Sequence, residues 1–344
     1  MDYNIDILVA GCDTSCLHCY VNGGPGPQMR PEDFYLCLER LRPAFERFGR
    51  ALTFTLDNEL YGHAHALELL RYVADTCGDS YYHHGSTTGI ALLERQDAPA
   101  LLRLLREKGW TEVSFAIHGG RENHDRIVAR RGALETLERA AALCRSEGMT
   151  IWISLMASKC LLADRAEVAA LLNRLPHDGL LPVIPDYYPT PRLRRYQSIR
   201  CEREQIGEFF DFAMELGATR EQLKYCDGWT CESRVFDAAR EGRLALDPEA
   251  RQTAFFHIDS RLDFYRGNTG SPLEYCGNIA WLSGEAICGI IAATPDNYYE
   301  TSGIHYADLR ERLGDMVRSG PDLVYPSDIS CAIAMLDNAE RRQT

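Results

Sequence analysis

The sequence predicts an α/β fold, a partial (β/α)6 TIM-like barrel over residues 1–200 followed by a smaller C-terminal α+β domain over residues 201–344. Three observations predict it. Short apolar runs alternate with helix-period segments through the first two hundred residues, which implies a parallel sheet joined by right-handed crossovers. After Pro189 that rhythm gives way to a proline- and arginine-rich segment and two short alternating runs. A chain of 344 residues has room for one large domain and a smaller one.

The candidate strands are Ile5–Ala10, Leu52–Leu56, Ser80–His84, Glu112–Ile117, Thr150–Met156 and Leu180–Ile184. Between them lie candidate helices Pro31–Phe48, Ala64–Thr76, Ala98–Lys108, Ala133–Glu147 and Asp164–Leu175. Pro31 suits a first helical turn, where its missing N–H costs nothing. Asp164 with Glu167, and Thr219 with Gln222, read as capping boxes. Pro189–Arg200 reads as a linker, Glu202–Leu216 as a helix, and Thr253–Phe256 and Arg261–Tyr265 as short strands before the turn-rich stretch Gly267–Pro272. In barrels of this kind the chemistry sits at the C-terminal ends of the strands.

Composition narrows the function. The net charge of −13 argues against binding nucleic acid or an anionic membrane surface. No stretch reaches the roughly 20 apolar residues that a membrane span needs. The first residues carry acids where a secretory signal carries Lys or Arg, so the expectation is a cytoplasmic protein. Thirteen cysteines, an odd number, do not suggest a disulfide framework, and in a reducing compartment cysteine clusters bind metal or do redox chemistry. Cys37, Cys77 and Cys144 fall in apolar helical patterns and read as small buried hydrophobes.

The first strand runs straight into Gly11-Cys-Asp-Thr-Ser-Cys-Leu-His-Cys-Tyr20, with Cys12, Cys16 and Cys19 in C-x3-C-x2-C spacing. Three thiolates on one short loop suit three irons of a cubane cluster and leave the fourth iron open to an external ligand. The alternative is a structural zinc site with His18 as fourth ligand. Adjacency of His18 to Cys19 is a poor spacing for closing a tetrahedron, and zinc sites usually come as two separated pairs.

The Gly11–Tyr20 loop resembles the cluster loop of the radical S-adenosylmethionine (SAM) superfamily, C-x3-C-x-aromatic-C, with His18 in the aromatic position. The resemblance extends to the SPASM/twitch subgroup and implies several roles. Cys12, Cys16 and Cys19 would hold a [4Fe-4S] cluster and His18 would lie near the adenine of SAM. Asp57, Asn58 and Glu59 stand where the family has a Gly-Gly-Glu-like segment facing the methionine amino group; Glu59 matches and the glycines do not. Thr87-Thr-Gly89 stands where the family often has Thr-Asn-Gly. Ser114 and either Arg130 or Arg131 would hold SAM's ribose and carboxylate, an arginine suiting a carboxylate through its planar fork. His118 stands where the subgroup has Asp, and Ser154 and Ser158 are similar candidates. Cys226, Cys231, Cys276, Cys288 and Cys331 are candidate ligands of a second, auxiliary [4Fe-4S] cluster, against the reading that the C-terminal domain is degenerate and metal-free. The cluster would also draw electrons from an external one-electron donor of flavodoxin or ferredoxin type.

The resemblance implies reductive cleavage of SAM to a 5′-deoxyadenosyl radical that removes hydrogen from a substrate. A small metabolite is the first expectation, because strand one begins too early for a preceding peptide-binding domain; a peptide-modifying enzyme is the alternative. A zinc-stabilised or redox-sensing binding protein is the reading from another class. No catalytic acid, base or nucleophile stands out. His83, His84, Asp186, Tyr187, Tyr188 and Arg192 lie near predicted strand ends and are candidate cavity residues, a solvated loop being the plain reading of the Arg192 segment. Cys160 reads as a candidate hydrogen-atom donor or, more simply, a buried thiol.

Overall fold

The computed structural model describes residues 2–19, 21, 23–244, 253–267, 274–294, 306–316 and 320–343. Its strands are β1 (Asp2–Leu8), β2 (Leu52–Asp57), β3 (Glu112–Ile117), β4 (Thr150–Met156), β5 (Gly179–Val183), β6 (Thr230–Cys231), β7 (Thr253–Ile258), β8 (Asp263–Arg266), β9 (Glu274–Asn278) and β10 (Val324–Tyr325). The parallel pairs β1–β2 and β3–β4–β5 alternate with helices, as the rhythm of the sequence predicts. The architecture is a partial TIM-like barrel with additional C-terminal structure.

Residue alternation explains how the strands serve the barrel. On β1 and β2, Ile5, Ile7, Leu52, Phe54 and Leu56 are buried toward the helices, while Asn4, Asp6, Thr53, Thr55 and Asp57 face a central cavity. Successive side chains on a strand point to opposite faces, so a Thr-Phe-Thr-Leu-Asp run places a polar wall inside and an apolar one outside.

Three local expectations need correction. Ser80–His84 is not a strand. Gly78–Ser80 is a 3-10 turn, and the following segment forms no ladder, pairing only as isolated bridges, Phe54 with Tyr81 and Ser86 with Ser114. A Cβ on Gly85 would lie 2.1 Å from the Glu112 carbonyl oxygen, so the backbone crosses β3 at a proximity that only glycine permits. This segment joins β2 to β3.

Asp164 and Glu167 do not form a capping box. Asp164 instead accepts from Gly120 N at 2.8 Å and from the Asn123 amide at 2.7 Å, and Glu167 accepts from Arg121 N at 2.7 Å. Both carboxylates cap the neighbouring helix Arg121–Val128, whose own N-cap is a glycine without a side chain. The Thr219–Gln222 capping box forms as expected.

Pro189–Arg200 is not a solvated linker. Thr190 caps a helix over Pro191–Tyr196, and Arg200 is 1% exposed. Its guanidinium donates to the carbonyls of Pro185, Asp186 and Val324 and lies 4.5 Å from the Tyr325 ring centroid. Arg194 pairs with Asp337 at 2.6 Å. Arg194 and Arg200 fasten the C-terminal helix Asp328–Gln343 and the β6–β10 ladder to the barrel.

The expected strands Thr253–Phe256 and Arg261–Tyr265 fall on β7 and β8. β7 pairs in parallel with β1, Asp6 opposite His257, and continues into the antiparallel strands β8 and β9. Most of Gly267–Pro272 lies outside the described residues. Gly284 opens the helix Gly284–Ala292, where a Cβ would stand 2.5 Å from Pro43 of the helix Pro31–Phe48.

Candidate active site

A cavity of about 790 Å³ opens inside the barrel and reaches the loop after β1. Cys12, Cys16 and Cys19 all line it. The loop is shaped by local hydrogen bonds. Cys12 N donates to Gly24 O at 2.8 Å, Leu17 N to Ile127 O at 2.8 Å, and Gly23 N to Cys19 Sγ at 3.1 Å. Thr14 Oγ1 lies 3.2 Å from both Cys12 Sγ and Cys16 Sγ. Arg192 reaches back to Gly23 O and to Ser15 Oγ, tying the segment after β5 to the loop. It is spent on the loop, not displayed to a substrate.

Burial pushes all three thiols up, Cys16 to about 12, with Arg192 acting the other way on Cys19. Iron ligation needs thiolates, so a positive metal centre must supply the stabilisation that these surroundings withhold. Among the described residues no three His, Cys, Asp or Glu side chains stand close enough to share one ion. Three cavity-facing thiols on one loop are the donor set that an iron–sulfur cluster takes, with its fourth iron left for another ligand.

Beside the loop stands a stack of histidines. The His18 and His118 ring centroids are 4.1 Å apart, and those of His118 and His124 are 5.6 Å apart. All three line the cavity, and burial pushes them down, His18 and His124 to about 4. They are neutral at pH 7. His18 Nδ1, both His118 ring nitrogens and His124 Nδ1 have no hydrogen-bond partner among the described residues. Because these atoms also line the cavity, a bound molecule could satisfy them.

The other expected SAM residues divide into two groups. Asn58, Glu59, Ser114 and Ser154 line the cavity with His18. Glu59 is 2% exposed and accepts from Thr87 Oγ1, Thr88 N and Thr88 Oγ1 at 2.8–3.1 Å. Burial nonetheless raises it to about 7. Asn58 adopts φ 65°, and its buried Oδ1 lacks a partner among the described residues. Ser114 shares a 2.8 Å hydrogen bond with Ser86. Arg130 and Arg131, in contrast, are not in the cavity. Ala129 in the left-handed region turns the chain at the helix end, Arg130 pairs with Glu94 at 2.7 Å, and Arg131 is exposed. Ser158 caps the helix Lys159–Ala163 and is no cavity residue.

On the substrate side, His84, Asp186 and Tyr188 line the cavity. His83 instead stacks on Trp110, and Tyr187 is buried with its hydroxyl on Asp337 at 2.6 Å. Cys160 meets Arg126 Nη2 at 3.1 Å away from the cavity. Asp57, at the start of the Asp57-Asn-Glu59 segment, lines the cavity too. The sequence reading missed Asp6, Thr55 and Phe255, which line it from β1, β2 and β7. The polar alternation along β1 and β2 was the signal for the first two; the parallel pairing of β7 with β1 is a tertiary fact.

The candidate auxiliary cysteines are scattered. Cys226 donates to Pro182 O at 3.3 Å. Cys231 and Cys331 are buried neighbours between β6 and the C-terminal helix. Cys276 bonds to the Glu274 carbonyl on β9, and Cys288 is buried in the helix Gly284–Ala292. The structure does not bring these five together.

The radical SAM superfamily model matches residues 7–159. No curated protein matches the sequence. Among solved structures, anSMEcpe with bound AdoMet and the Cp18Cys peptide aligns at a TM-score of 0.55 and 15% identity, covering 99% of this chain and 98% of that one. Streptococcus suis SuiB bound to S-adenosylmethionine aligns at 0.55 and 12% identity, covering 87% of this chain and 67% of that one. At these identities the likeness is one of fold. Members of the superfamily use a [4Fe-4S] cluster and SAM. The family match, the barrel and the cavity-facing cysteine loop after its first strand together show that this chain carries a radical SAM superfamily domain over residues 7–159.

Proposed function

We propose that the chain is an enzyme that cleaves SAM and removes a hydrogen atom from an organic substrate, with residues 1–200 as its catalytic barrel. One observation carries this reading: Cys12, Cys16 and Cys19 all face a single large cavity at the end of β1. These cysteines would hold a [4Fe-4S] cluster, which with SAM supplies a 5′-deoxyadenosyl radical on reduction. His18, Asn58, Glu59, Ser114 and Ser154 surround the same space and are proposed to hold SAM. The protein's own task is to position the reactants and keep water away from them. Iron counts on anaerobically reconstituted wild type and on a Cys12/Cys16/Cys19 triple alanine variant test this. Four irons per chain, lost in the variant, with 5′-deoxyadenosine formed from SAM and dithionite by the wild type alone, is the expected outcome. A colourless wild type that binds one zinc refutes it.

A small metabolite is the proposed substrate. The second reading, a peptide-modifying enzyme, is favoured by one finding: the fold is shared end to end with anSMEcpe, whose structure holds a peptide.

A further inference from the structure

Below the cysteine loop the cavity wall has a second polar site. Asp6 lies on β1 two residues, about 7 Å, below the strand's end. In the parallel register it stands beside Thr55 of β2 on one side and His257 of β7 on the other, so the three side chains share the inner face. Asp6 Oδ1 accepts from Asn4 Nδ2 and from Thr55 Oγ1, both at 2.8 Å. Thr53 Oγ1 in turn donates to Asn4 Oδ1 at 3.2 Å. This chain of bonds holds the carboxyl in one orientation. Its Oδ2 has no partner among the described residues and is not sealed from the cavity that Asp6 lines. A locked carboxyl with one oxygen open to a large cavity is an acceptor awaiting a donor.

The sign of the site follows from its neighbours. Asp6, Asp57, Glu59 and Asp186 line the cavity, and none of its described lining residues is Lys or Arg. A phosphate or carboxylate entering this space finds acidic groups and no lysine or arginine among the described lining residues, whereas an ammonium finds acceptors, and its approach favours the ionised form of a carboxyl that burial has raised to about 7.

Resting on the radical SAM reading, we propose that Asp6 anchors the substrate and that the group it takes is an amine. The ammonium donates to Asp6 Oδ2, within reach of the polar wall of Thr55 and Asp57 and below the space assigned to SAM. Phe255, on the same face of β7, offers an apolar surface beside it.

Three four-carbon probes of matched length test this, 1,4-diaminobutane, 1,4-butanediol and succinate. Binding to reconstituted full-length protein saturated with SAM is measured by calorimetry, for wild type and D6N. The diamine is expected to bind wild type most tightly and D6N about 10- to 100-fold more weakly. The ratio of diamine to diol affinity is expected to fall in D6N, whereas a folding defect lowers both affinities alike and leaves the ratio unchanged. Preference for the diol or succinate, no binding of the diamine, or equal binding to wild type and D6N overturns the proposal. Iron content and SAM-dependent 5′-deoxyadenosine on the same wild-type preparation report separately on the radical SAM reading.

Discussion

Gly11 offers a sharp test of how the cysteine loop is built. Its φ is unremarkable, so the demand is for space alone. A Cβ there would lie 2.3 Å from Gly26 N, 2.6 Å from Gly24 O and 2.9 Å from Gly26 Cα. All three are backbone atoms, which cannot swing aside as a side chain does. Gly11→Ala must therefore push the strand end away from the Gly24–Gly26 segment and stretch the 2.8 Å hydrogen bond from Cys12 N to Gly24 O. Overpacking costs about 1–3 kcal/mol and the lost hydrogen bond about 1 kcal/mol, so the substitution should destabilise the fold by about 2–4 kcal/mol. The larger effect falls on Cys12, the next residue, whose sulfur moves relative to Cys16 and Cys19. Urea denaturation of the apoprotein reads the first effect; iron per chain and visible absorbance after reconstitution read the second. Gly26→Ala is the control, because its Cβ would make only ordinary contacts, 3.6 Å from Gly11 Cα and 3.7 Å from Gly24 O. Wild-type stability and iron content in Gly11→Ala, or equal damage in both variants, would refute the reasoning.

Two further outcomes are expected. Arg200→Ala should cost about 3–5 kcal/mol in urea denaturation, since it strips three buried carbonyls of their donor; Arg200→Lys should recover only part, lacking the planar fork. Asp6→Asn should change the pH dependence of stability. Burial, then Asp57, raises Asp6 from 3.8 to about 7 in the folded chain, so the folded state keeps a proton that the unfolded state releases near pH 4. Wild type thus loses stability relative to the variant as pH rises from 5 to 8, and paired thermal melts across that window check it; parallel curves would show that Asp6 ionises normally.

The sequence by itself determined the repeating architecture, because strand and helix periods are local properties. Pro31–Phe48, Glu112–Ile117 and Thr150–Met156 form where their periodicity says. It also made the cysteine loop legible, since three cysteines within eight residues stand together whatever the rest of the chain does. Ser80–His84 was misread because its apolar and aromatic residues suit a strand, whereas the close crossing at Gly85 depends on where β3 lies. Arg192, Arg194 and Arg200 read as solvated charge because their partners Gly23, Asp337 and Val324 are far away in sequence. The setting of Asp6 in the cavity wall was equally hidden. Asp6 is one polar residue in a strand until β2 and β7 close on either side and withdraw water from it, and that desolvation is a property of the assembled barrel alone.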